Sequence, residues 1–462
     1  MSGLRHLVKA LRACAQQPLP AAVSNAARWH FLDALGVGLA ATSAEAGAPY
    51  RGVGRELAVG GSSSVLGQSQ GAAPADAALV NGGLMHSLEF DDTHTGSIIH
   101  GSSVVAAAAL AMAQAQRRSG ADMLGAYVRG WEALARFGLA APGGFHAQGF
   151  QPSSVAGTLA AAWVAAELTG LSEDQTVAAM GIALSQSSGV MEFVSNGSSV
   201  KSLHPGWAAH AGLLAAQLAQ AGMTGPETAI EGRWGLFAQF ARDPQAAARF
   251  DDSLADLGQR WQLPDAAIKF YPCCHYLHPF IEAAGLLAQR GVQAAHIKAM
   301  VCEVPAGAAP IICEPWSRAL NPANGHAGRW SLPITVAMRL IDGYVDVASF
   351  EHSASPEVRA LAQKITWVPL AQDRFPQHFE AVIHCELLSG EKISQRIDDV
   401  DGNHTRPPSD ERVLAKFKAN ASLTLTPDGV ALLSRTMQDL DRLDDVTAIG
   451  LALSQMASPV KS

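Results

Sequence analysis

The chain has 462 residues, 48% of them hydrophobic and 16% charged, with 33 Lys and Arg against 41 Asp and Glu for a net charge of −8. That apolar content excludes a disordered chain and suffices for two or three packed domains, and the low charged fraction implies a small exposed surface or one covered by another subunit. No long basic run supports a nucleic-acid partner, no apolar stretch reaches the roughly 20 residues of a membrane span, and six cysteines are too sparse for a disulfide scaffold, so free thiols in a cytoplasmic setting are expected.

In chain order, Leu4, Leu7, Val8 and Leu11 recur at helical spacing and predict a first core helix, not an export signal. Helices are predicted near 20–42, 75–88, 102–117, 120–140, 154–169, 173–188 and 207–221, with Ser172-x-x-Gln175 as a capping box. Gly36-Val37-Gly38 lies inside a helical pattern and follows no strand, so it is not read as a dinucleotide fingerprint. Neither a Walker loop nor a G-x-S-x-G elbow is present. The texture changes after about 265. Short β-rich runs fall at 297–302 and 365–369, and 378–388 and 391–397 flank Ser389-Gly390 as a predicted hairpin. Helices are expected at 279–290, 331–341, 356–364, 410–420 and 427–440, and fraying over the last few residues. The fold class is therefore mostly α with an inserted α+β unit. A helical part spans 1–267, the α+β unit 268–400, and a second helical part 401–462.

Four polar segments interrupt this apolar chain. His86-Ser87-Leu88-Glu89-Phe90-Asp91-Asp92-Thr93-His94, followed by His100, is either a capped helix end with a solvated loop or a site where His100 exchanges a proton and carboxylates orient imidazoles. Gln151-Pro152-Ser153-Ser154 precedes an apolar helix, where either serine would serve as N-cap or the helix start would face an anion. Lys201 and His204 lie near another helix start. Lys201 is an ordinary exposed lysine or an anion ligand, and His210 beyond them reads as a core histidine. Lys269 to Pro279 holds Cys273, Cys274, His275 and His278. Adjacent cysteines chelate poorly and no second pair follows, so no zinc site is expected, and His278 is read as an anion contact. Lysine and histidine donors beside carboxylates are what an enzyme for small di- or tricarboxylic acids requires.

These residues resemble the MmgE/PrpD family, which includes 2-methylcitrate dehydratases, cis-aconitate decarboxylases and iminodisuccinate epimerases. The resemblance spans nearly the whole chain and is closest over 81–93, 181–226, 231–235 and 269–278. It implies a large helical domain built from both chain ends, an α+β lid, an active site in the cleft between them, a homodimer, and no metal or organic cofactor. Carried over residue by residue, it implies a site of Asp91, Asp92, Thr93, His100, Lys201, His204, Lys269 and His278. Glu89 stands where the family usually has Asp, Gln151 where many members have His, Gly101 where proline is common, and Ile334 where tyrosine is common. These departures suggest a different substrate or different proton logistics in the same cleft.

The resulting expectation is a cofactor-independent enzyme that handles a proton α to a carboxylate, first of all a dehydratase-type lyase. The alternatives are an epimerase, a decarboxylase and a non-catalytic carboxylate binder. His100 would be the acid or base, held by Asp91 or Asp92. Lys201, Lys269, His204 and His278 would bind substrate carboxylates, and Thr93, Gln151 and Glu89 would complete the site.

Overall fold

In the computed structural model, residues 1–457 are described; the fraying expected at the chain end lies outside them. They gather around two hydrophobic cores. The larger draws on residues 4–266 together with 417–453, and the smaller on residues 273–397.

The first core is helical. It contains α1 (Gly3–Ala15), α2 (Ala21–Ser43), α3 (Ala48–Leu57), α4 (Pro74–Ser87), α5 (Ser102–Ala115), α6 (Gly120–Ala140), α7 (Gly157–Thr169), α8 (Glu173–Leu184), α9 (Leu203–Gln220) and α10 (Ala246–Ser253). In α1, Leu4, Leu7, Val8 and Leu11 are all fully buried, the face their spacing predicts. The capping box at Ser172 and Gln175 is formed, and a second one links Ser119 and Asp122 ahead of α6. Helix α8 stops at Leu184, short of the predicted 188, and the chain then turns through Gly189 at φ +114°. Helix α9 starts four residues earlier than predicted, because Pro205 lies in its first turn, where no intrahelical N–H is needed. Helix α3 has two glycines in ten residues and α10 is short, so neither was visible in the periodicity.

Small residues let these helices meet at backbone distance. Helix α9 packs on α4 and α7. A Cβ at Gly206 of α9 would lie 2.3 Å from the Leu79 carbonyl oxygen, and one at Gly82 of α4 would lie 2.8 Å from the Gly206 Cα. His210, farther along α9, is only half-buried; it bonds the Ala75 carbonyl at 3.1 Å and stacks on Trp207, so it is a surface-edge residue and not a core one.

The second core is the α+β unit. It comprises α11 (His278–Gln289), β1 (Ile297–Val304), α12 (Leu332–Ile341), α13 (Pro356–Ala362), β2 (Ile365–Pro369), β3 (Ala381–Leu387) and β4 (Lys392–Ile397). Its sheet has the order β2-β1-β3-β4, with β1 parallel to β2 and antiparallel to β3. The predicted hairpin is β3–β4, with Ala381 opposite Ile397 and Gly390 at φ +89° in the turn. Its first strand begins at Ala381, not 378, because His378 and Phe379 are tied to the Asp399 carboxylate instead. The chain returns to the helical core through α14 (Asp410–Ala421), α15 (Pro427–Gln438) and α16 (Thr447–Leu453), with α14 packed on α2.

Gly206→Ala places a methyl group against main-chain atoms that cannot swing aside. A loss of ~1–3 kcal/mol is expected, read as a lower urea midpoint at unchanged slope; a wild-type midpoint would show that α4 and α9 lie farther apart than described.

Candidate active site

Helix α4 ends at Ser87, and the next residues form a tight run of buried polar groups. Glu89 adopts φ +53°, a left-handed conformation unusual for a residue with a Cβ. Three buried cations hold this turn by three consecutive carbonyls. Arg329 donates to Leu88 O at 2.8 Å, Lys269 to Glu89 O at 3.0 Å, and Lys416 to Phe90 O at 3.0 Å. Lys416, on α14, also pairs with Asp33 of α2 at 2.7 Å. Burial brings the Arg329 guanidinium down to about 10.

The Glu89 side chain forms an ion pair with Lys201. Burial opposes its ionisation, but Lys201 together with His86, Lys269 and His100 outweighs that and holds the carboxyl well below the usual carboxylate range. Asp91 behaves alike: burial is overcome by neighbouring His86, His100 and Lys269, so it too is held low and stays ionised. His86 Nδ1 donates to Asp91 Oδ2 at 2.8 Å, while Asp91 Oδ1 lies 3.9 Å from His100 Nδ1. Asp92 points elsewhere. Its carboxylate takes His30 Nδ1 at 2.9 Å and the Ser102 amide at 3.0 Å, anchoring the start of α5. Its carbonyl, not its carboxylate, meets His100 Nδ1, at 3.0 Å.

That contact assigns the His100 tautomer. A carbonyl only accepts, so Nδ1 carries the hydrogen and Nε2 keeps its lone pair on the cavity side. Thr93 Oγ1 lies 3.3 Å from the same Nδ1, the His100 amide donates to Ser153 Oγ at 2.8 Å, and the ring packs at a tilt against His86. Burial, reinforced by Lys269, keeps His100 well below its ordinary value, so the ring is neutral near pH 7.

These groups open onto a cavity of ≈ 530 Å³ between the two cores. Of the residues singled out in the sequence, Glu89, Thr93, His100, Gln151, Lys201 and Lys269 line it. Asp91 and Asp92 are fully buried behind that wall. His204 sits one layer back as well, donating from Nδ1 to Gln151 Oε1 at 2.6 Å. His278 is buried against Tyr271 and His275 and does not reach the cavity; His275, three residues earlier on the preceding turn, does. Neither Ser153 nor Ser154 caps its helix. Ser153 accepts from His100, and Ser154 donates to the His204 carbonyl.

Lining residues that the sequence did not single out include His146, His275, Tyr276 and Arg318. His275 stood in the Cys273–His278 cluster, but nothing in the spacing ranks it above His278. His146 and Arg318 sit in short one-turn segments with no motif around them. Burial takes His146 down to about 4 and His275 well below its usual value, so both imidazoles are neutral. Much of the remaining wall is apolar, with Met191, Phe193, Ile311 and Phe375 among it, beside polar residues such as Asn196 and Glu314. Cys273 and Cys274 are buried thiols raised by that burial, Cys274 to about 11. Among the described residues, the group whose candidate metal-ligand atoms converge is His86, Asp91 and His100, within 4.8 Å, and not the cysteine cluster.

Family models match the chain as an MmgE/PrpD N-terminal domain over residues 5–249 and an MmgE/PrpD C-terminal domain over residues 271–442. The chain is 29% identical over 446 residues to a cis-aconitate decarboxylase of Homo sapiens, covering 93% of this chain and 90% of that protein. It is 30% identical over 444 residues to one of Mus musculus, covering 91% and 86%. It is 28% identical over 427 residues to one of Aspergillus terreus, covering 87% and 85%.

The Lys416–Asp33 pair is buried on both sides. Lys416→Met strands a charged carboxylate and should cost ~3–5 kcal/mol in chemical denaturation, whereas Lys416→Met with Asp33→Leu should recover most of the loss. Equal stability of the single and double variants would disprove this account of the pair.

Proposed function

The chain belongs to the MmgE/PrpD family, and from that premise we propose that it is a lyase acting on a small di- or tricarboxylic acid by proton transfer at carbon beside a carboxylate. The reaction read first is loss of water. The observation that carries it is the state of His100: a neutral ring with Nδ1–H committed to the Asp92 carbonyl and Nε2 free on the cavity side is a general base ready to take a proton from carbon. Lys269 holds a substrate carboxylate beside that carbon and stabilises the negative charge that develops on it. The leaving hydroxyl takes its proton from a cavity donor. Lys201 and Tyr276 are the candidates, Tyr276 being a phenol that burial keeps protonated. Gln151, its Oε1 engaged by His204, turns its amide hydrogens to the ligand, and Thr93 steadies the His100 ring. The protonated and deprotonated groups are all supplied by the chain, so activity is expected to survive dialysis against a chelator.

A second reading is loss of carbon dioxide. Its support is the activity of the three relatives named above, each a cis-aconitate decarboxylase, and the apolar part of the wall, against which a carboxylate is poorly solvated and carbon dioxide is not. Here His100 works in the opposite sense, delivering a proton to carbon, and must arrive protonated.

The pH profile separates the two. A base is lost on protonation, so with dehydration kcat/KM stays level through neutral pH and falls only below the ordinary histidine value of 6.5, the direction in which burial moves His100. An acid is lost on deprotonation, so with decarboxylation kcat/KM falls as pH rises from that same low value. Product analysis over citrate-like and aconitate-like acids in deuterated water must agree: water lost, bicarbonate formed, or deuterium exchanged without net product, the last pointing to an epimerase.

His100→Ala should lower turnover by ~10²–10⁴-fold, while Lys269→Ala should mainly weaken substrate binding, by roughly tenfold or more for one charge-assisted hydrogen bond. Near-normal turnover of the histidine variant would remove His100 from the chemistry.

A further inference from the structure

We propose that the acid taken by this cavity carries a hydrocarbon substituent, lodged along a belt of apolar side chains between the charged end of the cavity and its exposed rim; the proposal rests on the reading above that the cavity takes carboxylates. The lining residues sort by burial. Glu89, Lys269 and His275 are buried and bring charge and imidazole to the inner end. Ser195, Asn196, Glu314 and Arg318 are exposed and make a polar rim. Met191, Phe193, Ile311, Trp330 and Phe375 fall between these in exposure. Each is half-buried, with apolar surface left uncovered at the cavity, and contiguous apolar surface of that kind marks a place where an apolar group binds.

The belt is held open by the protein itself. The Phe375 ring stacks on Phe379 at 5.8 Å between centroids and meets Tyr276 edge-on at 5.2 Å. Gly307 leaves it room, since a Cβ there would stand 2.4 Å from the ring. Phe193, from the helical part of the chain, is braced edge-on against His204 at 5.8 Å. These rings are fixed by protein contacts and need no ligand to order them. At ≈ 530 Å³ the cavity falls in the size range of sites for drug-sized ligands. In an unsubstituted citrate-like or aconitate-like acid every carbon bears or adjoins a carboxylate, so such an acid has nothing apolar to set against the belt. A hydrocarbon substituent displaces water from it and gains about three- to fourfold in affinity for each methylene buried.

Isothermal titration with succinate, ethylsuccinate, butylsuccinate and hexylsuccinate tests this. None has a hydroxyl to lose, so binding is read apart from turnover, and the neutral diamide of hexylsuccinate serves as control. Affinity should rise about three- to fourfold per added methylene, and the diamide should bind far more weakly than its acid. Ile311→Ser, at a half-buried position of the belt, should leave succinate affinity as it is and weaken hexylsuccinate by roughly tenfold. Affinity that stays level or falls as the chain lengthens overturns the proposal and leaves the carboxylate reading standing. A diamide that binds as tightly as the acid, or no binding by any of the acids, overturns the carboxylate reading and the proposal with it. A wild-type dependence on chain length in an Ile311→Ser protein with native circular dichroism overturns the placement of the substituent along the belt. Should the variant not fold, the wild-type series alone decides.

Discussion

Three buried cations on three successive carbonyls are the constraint around which this molecule is arranged. Backbone carbonyls carry partial charge only, so they cannot by themselves stabilise Arg329, Lys269 and Lys416 away from water. The missing negative charge comes from Asp33, Glu89 and Asp91, and each of these would be untenable without the cations. The result is a small neutralised knot in which no member can leave singly. It holds Glu89 in its left-handed turn, which in turn sends Asp91 toward His86, Asp92 toward α5, and the Asp92 carbonyl toward His100. Backbone strain of this sort persists where the surroundings over-determine it, and such places cluster at functional sites.

The same knot joins the parts of the chain. Glu89 follows a helix of the first core, Lys269 lies on the connection to the second, Arg329 belongs to the second, and Lys416 to the returning α14. Because all of them converge on one turn, the cavity exists only when both cores are in place. Close helix contacts support this. The glycine contact of α4 with α9 brings the end of one helix and the start of the other together, which is where Glu89 and Lys201 meet.

Electrostatics in the cavity follow from burial more than from composition. A chain of net charge −8 would repel an anion at long range. Local placement of Lys201, Lys269 and Arg318 reverses that at the cavity wall, while burial strips charge from the three lining histidines. The site therefore separates two tasks. Under the proposed function, lysine and arginine supply fixed charge, and neutral imidazole supplies proton transfer.

The sequence alone carried the helical character of its first half, the hairpin, the first core helix and the Ser172 capping box, because these depend on neighbours within a few residues along the chain. It also determined the family, through ordered blocks of residues, and it marked the 86–100, 201 and 269–278 segments as unusual, since clustered polar residues in an apolar chain demand a reason. It did not distinguish which member of each cluster faces the cavity. Asp92 and His278 look as good on paper as Glu89 and His275, and Lys416 and Arg329 stand in segments with no motif at all. Which of them face the cavity is set by the fold. Many of the contacts that fix these side chains join partners far apart in the chain, as Lys269 is 180 residues from Glu89 and Lys416 is 326 from Phe90, and no local pattern encodes contacts of that separation.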